Sequence, residues 1–149
     1  MKKSILRFIL TTIGIIAVHS VFSQNTDEQQ IKETVRNYVE GWYAADTIKM
    51  DNALHPDLVK RRCGKVPHTE RNLIETLTKS TMLEYTKMGF GKKKAQPDLM
   101  LEIKVLDISD DIANVKSSTF EYVDYVQLAK VNGQWKIINI LWNIKGKKP

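Results

Sequence analysis

The sequence predicts an α+β fold in which N-terminal helices pack on the concave face of a curved, mostly antiparallel sheet. In the first half of the chain, apolar residues recur at intervals of three and four, as on one face of a helix. From Asp98 onward the interval becomes two, which is typical of half-buried strands. Asn132-Gly133 separates two of these later segments, and this dipeptide favours a tight hairpin. Helices gathered before strands indicate segregated layers and not an alternating parallel sheet.

The start of the chain has the three parts of a secretory signal peptide. Basic residues open it, an apolar run follows over 8–18, and small side chains precede Gln24. The run is shorter than the roughly 20 apolar residues that span a bilayer, so we expect no stable membrane anchor after cleavage. The sequence therefore predicts a signal peptide over 1–23, one domain over 24–149, and export to the periplasm or the medium.

The formal net charge of +6 does not indicate a nucleic-acid-binding protein. Three of the basic side chains belong to the predicted leader, and the remaining excess of positive charge clusters at 60–62, 92–94 and 145–148. Such runs are usually solvated loops and tails. No aromatic side chains are interleaved with them, as they would be on a nucleic-acid surface, so we expect no nucleic-acid partner.

The elements of the first half are three predicted helices. A capping box at 26–29 opens the first, which carries one apolar stripe. Residues 46–47 cap a short second helix, which ends at 55–56 because the residue before a proline leaves helical geometry. A capping box at 81–84 opens the third, and Gly89 closes it. The stripe on the first helix comprises Ile31, Val35, Tyr38, Val39, Trp42 and Tyr43.

Two short strands are predicted between the second and third helices, and four more form a meander after Asp98. The first two, at 58–63 and 72–77, flank the turn residues of 64–67. Cys63 is the only cysteine, which leaves no intramolecular disulfide, and we expect it to be a small buried side chain.

The last strand predicts a homodimer formed through the sheet. Strict alternation gives this strand two apolar faces, and only one of them can cover the helices. A second apolar face would expose more surface than monomers normally tolerate. One face carries Ile138, Ile140, Trp142 and Ile144, and the other carries Trp135, Ile137 and Leu141.

Four segments, taken in order, carry a resemblance to a known superfamily. They are YVEGWYAAD, ALHPDLVKRR, LEYTKMG and DYVQLAKVNGQWKIINILW. Together they resemble the nuclear transport factor 2-like superfamily, the cystatin-like, cone-shaped fold of ketosteroid isomerase and SnoaL-type cyclases. More narrowly, the chain resembles the bacterial family labelled "putative lumazine-binding". This resemblance implies a deep pocket between the helices and the concave sheet face.

Aromatic residues are the main candidates for the lining of such a pocket. Tyr38 and Trp42, four residues apart, would lie on the face of the first helix that is turned toward the pocket, although core packing is the commoner role for aromatic residues at this spacing. Asp124 shares a strand face with Phe120 and Tyr122, so it is a candidate acid or base. The predicted ligand-binding residues are Tyr38, Trp42, His55, Tyr85, Tyr122, Asp124 and Trp142.

The segment HPDLVKRR raises the question of a catalytic histidine. His55 and Asp57 flank a proline, so turn geometry accounts for both residues, and ligand contact at the pocket mouth is the less favoured interpretation. Arg61 and Arg62 point to opposite faces of the strand, so at most one can face inward. His55 and His68 have no third ligand at a recognisable spacing, so we expect no metal and no cofactor.

Three functions remain open from the sequence. The first is a non-catalytic, exported domain that binds a small apolar or aromatic molecule. The second is an isomerase, cyclase or dehydratase that uses Asp124 with Tyr38. The third is a dimeric interaction module whose pocket is vestigial. A cavity with a buried carboxylate beside a tyrosine hydroxyl would favour the second function, and a filled one would favour the third.

Overall fold

The structure is a computed structural model in which residues 26–65, 68–69, 71–92 and 98–146 are described. Contacts divide the chain into two compact units, residues 1–30 and 31–149. In the first unit, residues 26–30 are helical. The predicted signal peptide, 1–23, lies outside the described residues, so it stays a prediction. The sheet, the core and the candidate site all belong to the second unit.

The long first helix, α1, occupies 26–44 of the described chain. Residue 26 is already helical, so the prediction of Thr26 as the cap is wrong. The apolar stripe is confirmed: five of its six side chains are 5 % exposed or less, and Trp42 is half-buried. Burial of this stripe explains the helix, since most of the stability of helices in proteins comes from packing of their apolar face.

The second helix, α2, extends over Thr47–Ala53 and begins where it was predicted. The Asp46 carboxylate accepts hydrogen bonds from the backbone N–H groups of Ile48 and Lys49, both at 3.0 Å. The helix ends at Ala53, before the predicted stop, because Leu54 already has extended backbone angles.

The third helix, α3, extends over Lys79–Lys87, and its predicted start is wrong. The N-cap is Thr78, whose hydroxyl oxygen accepts from the backbone N–H of Thr81 at 3.3 Å. Gly89 follows the helix with a φ of +70°, a conformation that glycine adopts without cost. The predicted end of this helix is therefore confirmed.

Six strands form one sheet, and their spatial order is β2-β1-β6-β5-β4-β3. The strands β1 and β6 are parallel, and every other neighbouring pair is antiparallel. The predicted α+β fold with a mostly antiparallel sheet is confirmed. The bounds are β1 Leu54–Lys65, β2 Asn72–Thr78, β3 Glu102–Ser109, β4 Ile112–Ser118, β5 Tyr122–Val131 and β6 Gln134–Ile144.

The strand β1 begins at Leu54 and not at residue 58 as predicted. Pro56 lies within it, where the pairing with β6 shifts register between Leu54 and Val59. An irregularity of this kind accommodates a residue that has no N–H to donate to the ladder. From Leu58 onward the alternation is regular, so that Leu58 and Lys60 are buried and Arg61 is exposed.

A bulge in β6 overturns the predicted division of its apolar residues. Ile138 has no partner in the pairing of β6 with β5, because its two neighbours pair with consecutive residues of β5. One extra residue reverses the alternation of faces. Both predicted sets therefore contribute to the same buried face, while Leu141 is 53 % exposed on the other. The residues brought onto the inner face are Trp135, Ile137, Ile140 and Trp142.

The core lies between the helices and this inner face of the sheet. Its largest fully buried side chains include Ile31, Met50, Leu58, Leu128 and Ile137. Cys63 is exposed, so the prediction of a buried cysteine is wrong; alternation along β1 turns it away from the core. Within the described residues, no helix combines the length and the apolar character needed to cross a bilayer.

Candidate functional site

A cavity of about 230 Å³ opens between the helices and the inner face of the sheet. Six of the seven predicted ligand-binding residues line it, and His55 does not. That they contact a ligand stays a prediction. The six residues are Tyr38, Trp42, Tyr85, Tyr122, Asp124 and Trp142.

The polar centre of the cavity consists of Lys60, Tyr38 and Asp124. Lys60 Nζ donates to Tyr38 Oη at 2.5 Å, and Tyr38 Oη donates to Asp124 Oδ1 at 3.3 Å. Lys60 Nζ also lies 3.5 Å from Asp124 Oδ1. The three residues are 7 %, 4 % and 4 % exposed, respectively. An ion pair bridged by a hydroxyl group is thus buried at the inner end of an aromatic pocket.

The sheet register explains why these groups meet. Asp124 on β5 is opposite Trp142 on β6, and Lys60 on β1 is paired with the neighbouring Ile140. Three adjacent strands therefore present Lys60, the indole of Trp142 and Asp124 side by side. The Lys60 ammonium lies 4.6 Å from the centroid of the Trp142 ring, within the range of a cation–π contact. The Tyr38 hydroxyl comes from α1, on the helix side of the cavity.

Burial changes the proton affinities in this centre. Desolvation lowers the pKa of Lys60, Asp124 opposes this effect, and the nearby Arg62 reinforces it. Desolvation and then the negative charge of Asp124 raise the pKa of Tyr38 well above its usual value. Tyr38 therefore keeps its proton, which matches its place between a donor and a carboxylate.

The arginines of the basic run separate as predicted. Arg61 is exposed and donates to Asn139 Oδ1 at 3.0 Å. Arg62 lines the cavity, where its Nε and Nη2 donate to the two carboxylate oxygens of Glu75 at 2.6 and 3.1 Å. The Arg62 guanidinium also lies 4.8 Å from the Trp142 ring centroid. A second cation thus stacks on the same indole as Lys60.

The remaining walls are largely aromatic, with Val39, Leu77 and Met82 among their aliphatic residues. The rings of Tyr122 and Trp142 meet edge to face at 5.4 Å, and Tyr43 lies 5.6 Å from Phe120. The Tyr43 hydroxyl is hydrogen-bonded to Thr119 Oγ1 at 3.2 Å. Rings held by such contacts give a rigid surface suited to a planar ligand.

Trp42 presents a buried donor at the cavity. Its Nε1 atom has no hydrogen-bond acceptor among the described residues. The ring is held by Gly91, where an added Cβ would lie 2.6 Å from Nε1 and 2.4 Å from the Trp42 carbonyl oxygen. Glycine is required for this close approach. A buried donor without an acceptor is costly unless something else supplies one.

His55 takes the structural role that the sequence favoured. Its Nδ1 accepts a hydrogen bond from the backbone N–H of Asp57 at 3.2 Å, and it lies 3.7 Å from the Asp57 carboxylate. The Asp57 side chain is almost fully exposed. The two residues therefore organise the bulged start of β1 and not a site in the cavity.

Lys60, Arg62 and Glu75 are the charged pocket residues that were absent from the predicted site. Lys60 and Arg62 were assigned to a solvated basic run, and the burial of Lys60 contradicts that assignment. A usable signal was present, since Lys60 and Arg62 continue the alternation that begins at Leu58. The sequence did not show that the negative charge of Asp124 lies beside Lys60, because this contact depends on the pairing of β1 with β6, which are distant in sequence.

Alkaline pH should destabilise the domain through its buried tyrosines. Burial raises the pKa of Tyr43 above the ordinary value of 10.0, so the unfolded chain releases this proton first. The free energy of unfolding is therefore unaffected well below pH 10. Above it, this free energy falls by up to about 1.4 kcal/mol per pH unit for one such tyrosine. In urea unfolding between pH 9 and 11, Tyr43→Phe should flatten the decline. The control Tyr125→Phe, at a half-exposed position, should keep the wild-type slope; equal slopes for the two variants would contradict this prediction.

No group of three or more histidine, cysteine or acidic residues that could hold a metal ion is found within the described residues. The charged side chains that line the cavity form the Lys60 centre and the Arg62–Glu75 pair.

Comparisons with solved structures support the same architecture. An NTF2-like protein with a cystatin-like fold from Novosphingobium aromaticivorans is 9 % identical, with a TM-score of 0.64 and coverage of 88 % of this chain and 90 % of that chain. An NTF2-like protein of unknown function from Shewanella baltica is 16 % identical, with a TM-score of 0.61 and coverage of 82 % and 96 %. A third, from Silicibacter pomeroyi, is 12 % identical, with a TM-score of 0.59 and coverage of 82 % and 98 %.

At these identities the structural likeness shows the fold alone. No curated protein matches the chain. A family model described as "Putative lumazine-binding" matches residues 26–143, which is most of the chain. The chain therefore belongs to the family described as putative lumazine-binding, and its fold is that of the nuclear transport factor 2-like superfamily.

Proposed function

We propose that this chain is an exported, non-catalytic domain that binds a small planar molecule carrying a carbonyl or anionic group. The observation that carries the proposal is the Lys60–Tyr38–Asp124 centre at the inner end of an aromatic cavity. Ligand sites typically combine apolar walls with a few polar groups that fix orientation. Membership of a family described as putative lumazine-binding supports a ligand-binding role.

The size of the cavity limits the ligand. At about 230 Å³, it is smaller than the roughly 300 Å³ at which drug-sized pockets begin, so a molecule of one or two rings fits best. Lys60, Arg62 and the buried Trp42 Nε1 are all donors. The matching ligand therefore presents acceptors, as a carboxylate, a phenolate or a ring carbonyl does.

The charge arrangement favours binding over the removal of a proton from the ligand. Tyr38 and Lys60 both contact the same oxygen of Asp124, so the carboxylate is already engaged by the protein's own donors. A general base must instead be free to accept a proton from the substrate.

The two neighbouring arginines provide a matched test of ligand binding. The exported chain would be titrated with 4-hydroxybenzoate and with lumazine while its tryptophan fluorescence is followed. Arg62→Gln should weaken binding by roughly tenfold, the effect of one lost charge-assisted hydrogen bond. Arg61→Gln removes the same charge from the outer face and should leave the affinity unchanged. Absence of any saturable response in the wild type, together with native mass spectra that contain no co-purifying molecule, would refute the proposal.

An acid/base enzyme is the second candidate, and one observation favours it. The Tyr38 hydroxyl lies 3.3 Å from a buried carboxylate beside an open cavity, the arrangement expected for an isomerase or dehydratase. Incubation of the protein with its co-purified ligand would show a new product by mass spectrometry if this function holds. Loss of that product in Asp124→Asn would then replace the binding proposal. The open cavity argues against the vestigial-pocket alternative.

Export is part of the proposal and is tested by the mature N-terminus. Expressed with its own leader, the protein should be recovered from the periplasm or the medium as a chain that starts near Gln24. Recovery of the chain with Met1 intact, in a membrane fraction, would contradict export.

We also propose that the domain forms a homodimer through the outer sheet face. The bulge leaves fewer apolar residues of β6 on this face than predicted, but Tyr125 and Leu141 are register partners there, and each is about half exposed. Light scattering at micromolar concentration should give a dimeric mass, and Leu141→Lys should give a monomeric one. A monomeric wild type would contradict this interface.

A further inference from the structure

The Lys60 side chain can act as a nucleophile as well as a hydrogen-bond donor. It is the one lysine among the described residues whose side chain lines the cavity. A primary amine that has lost its proton attacks the carbonyl carbon of aldehydes and ketones. The neighbours needed for this reaction are in place, since a carboxylate lies 3.5 Å from Nζ and a tyrosine hydroxyl lies 2.5 Å away.

We propose that Lys60 holds its ligand as a reversible imine, and that the ligand class is a one- or two-ring aromatic aldehyde or ketone. The inference rests on the proposed function, because it requires the same cavity to admit a planar ligand. It adds a covalent bond between Nζ and the carbonyl carbon. Reversible capture of this kind retains the ligand without transforming it.

The reaction balances with the groups present. The Lys60 ammonium gives a proton to the Asp124 carboxylate, and the free amine adds to the carbonyl carbon while the carbonyl oxygen takes up a proton from the nitrogen. Asp124 then returns its proton to the resulting hydroxyl group, which leaves as water. The nitrogen lone pair forms the C=N bond, and the product is a cationic iminium beside the Asp124 carboxylate. The net change is the loss of one water molecule, and no redox step is involved.

The surroundings favour each stage of this reaction. Desolvation lowers the pKa of Lys60 and so increases the fraction of free amine at a given pH. Tyr38, which accepts from Nζ and donates to Asp124, positions the two groups. The iminium keeps the positive charge of the lysine, so the ion pair and the contact with Trp142 persist in the adduct.

Another partly buried lysine, Lys79, shows why burial alone does not enable a lysine to form an imine with a ligand. Lys79 Nζ donates to the backbone carbonyl of Leu54 at 2.8 Å and contacts the Asp51 carboxylate at 2.8 Å. It does not line the cavity. Its amine is therefore held by fixed acceptors, with no adjoining cavity for a ring-bearing ligand.

Reductive trapping tests the imine directly on the exported chain. The protein would be incubated with benzaldehyde and sodium cyanoborohydride, which reduces an imine to a stable benzylamine. Peptide mapping by mass spectrometry should then find the benzyl group on Lys60 in preference to the exposed lysines, since a lowered pKa gives a larger fraction of free amine. Lys60→Arg keeps the charge but removes the amine, and should lose this adduct. Lys104→Arg, at an exposed position on β3, should retain it.

A parallel titration separates the imine from ligand binding itself. Benzyl alcohol has the same ring without a carbonyl group, and it should change the tryptophan fluorescence without forming an adduct. Wild-type adducts spread over exposed lysines, with Lys60 unlabelled and the fluorescence response present, would overturn the imine and leave the binding function standing. Absence of both the fluorescence response and the Lys60 adduct would overturn the two together. The wild-type map is decisive even if Lys60→Arg does not fold.

Discussion

Lys60→Met should destabilise the domain by about 3–5 kcal/mol, because it leaves the charge of Asp124 buried without its cationic partner. The side chains of both residues are less than a tenth exposed, so water cannot replace the lost contact. Tyr38 alone would remain as a hydrogen-bond donor to the carboxylate. The free energy of unfolding, measured in urea on the chain from residue 24 onward, gives the effect.

A second substitution distinguishes a buried ion pair from simple packing. In Lys60→Met/Asp124→Asn, no unpaired charge remains, and the amide oxygen introduced at position 124 can still accept from Tyr38. Neutral replacement of both partners often restores stability, so the double variant should be more stable than Lys60→Met alone. Lys104→Met, at an exposed position, should change stability by less than about 0.5 kcal/mol. A double variant no more stable than Lys60→Met would show that the ion pair does not govern stability here.

Trp42→Phe should keep the domain folded and weaken ligand binding by roughly tenfold. The ring is replaced by a smaller aromatic ring, a conservative change to a half-buried side chain, whereas the Nε1 donor is lost completely. If the ligand supplies the missing acceptor, the loss is that of one hydrogen bond, about 1–1.5 kcal/mol. Fluorescence titration of the remaining tryptophans, with urea unfolding as a check on stability, measures both properties.

His55→Gln is the matched control for Trp42→Phe. It keeps a polar side chain in the irregular start of β1, and His55 does not line the cavity, so the affinity should remain unchanged. Truncation to Trp42→Ala would be less informative, because removal of a tryptophan from a core costs about 3–5 kcal/mol by itself. Ligand binding lost in His55→Gln but kept in Trp42→Phe would revive a functional role for the HPDLVKRR segment.

Local patterns predicted most of the fold. The stripe of α1, the Asp46 cap and the Asn-Gly hairpin each depend on residues close in sequence, and the structure has all three. The predicted start of α3 was wrong because the capping box favoured Thr81, whereas Thr78, which lacks an acidic residue three positions later, caps the helix. The bulge at Ile138 has no local signal, since isoleucine is equally suited to either sheet face.

The aromatic residues of the candidate site and Asp124 were predicted, whereas its other charged residues were missed. Tyr38 and Trp42 follow from helical spacing, and Tyr122 and Asp124 from the alternation along β5. Lys60 is buried only because Asp124 lies two strands away, and a charge is rarely placed in a core without a partner. Such a partner depends on the parallel pairing of β1 with β6, which joins segments about eighty residues apart in sequence.

The extra residue in β6 changes which positions of this strand face the core. Before Ile138 the odd-numbered positions face the core, and after it the even-numbered ones do, so Trp135 and Trp142 both point inward although one position is odd and the other even. A shift of one residue in strand pairing turns every side chain beyond it to the opposite face. If Ile138 instead paired with Gln127, without the bulge, Leu141 would replace Trp142 opposite Asp124, and the pocket would lose the ring that both its cations contact. The aromatic lining of the cavity thus depends on the bulge in β6 as much as on the identity of any residue in it.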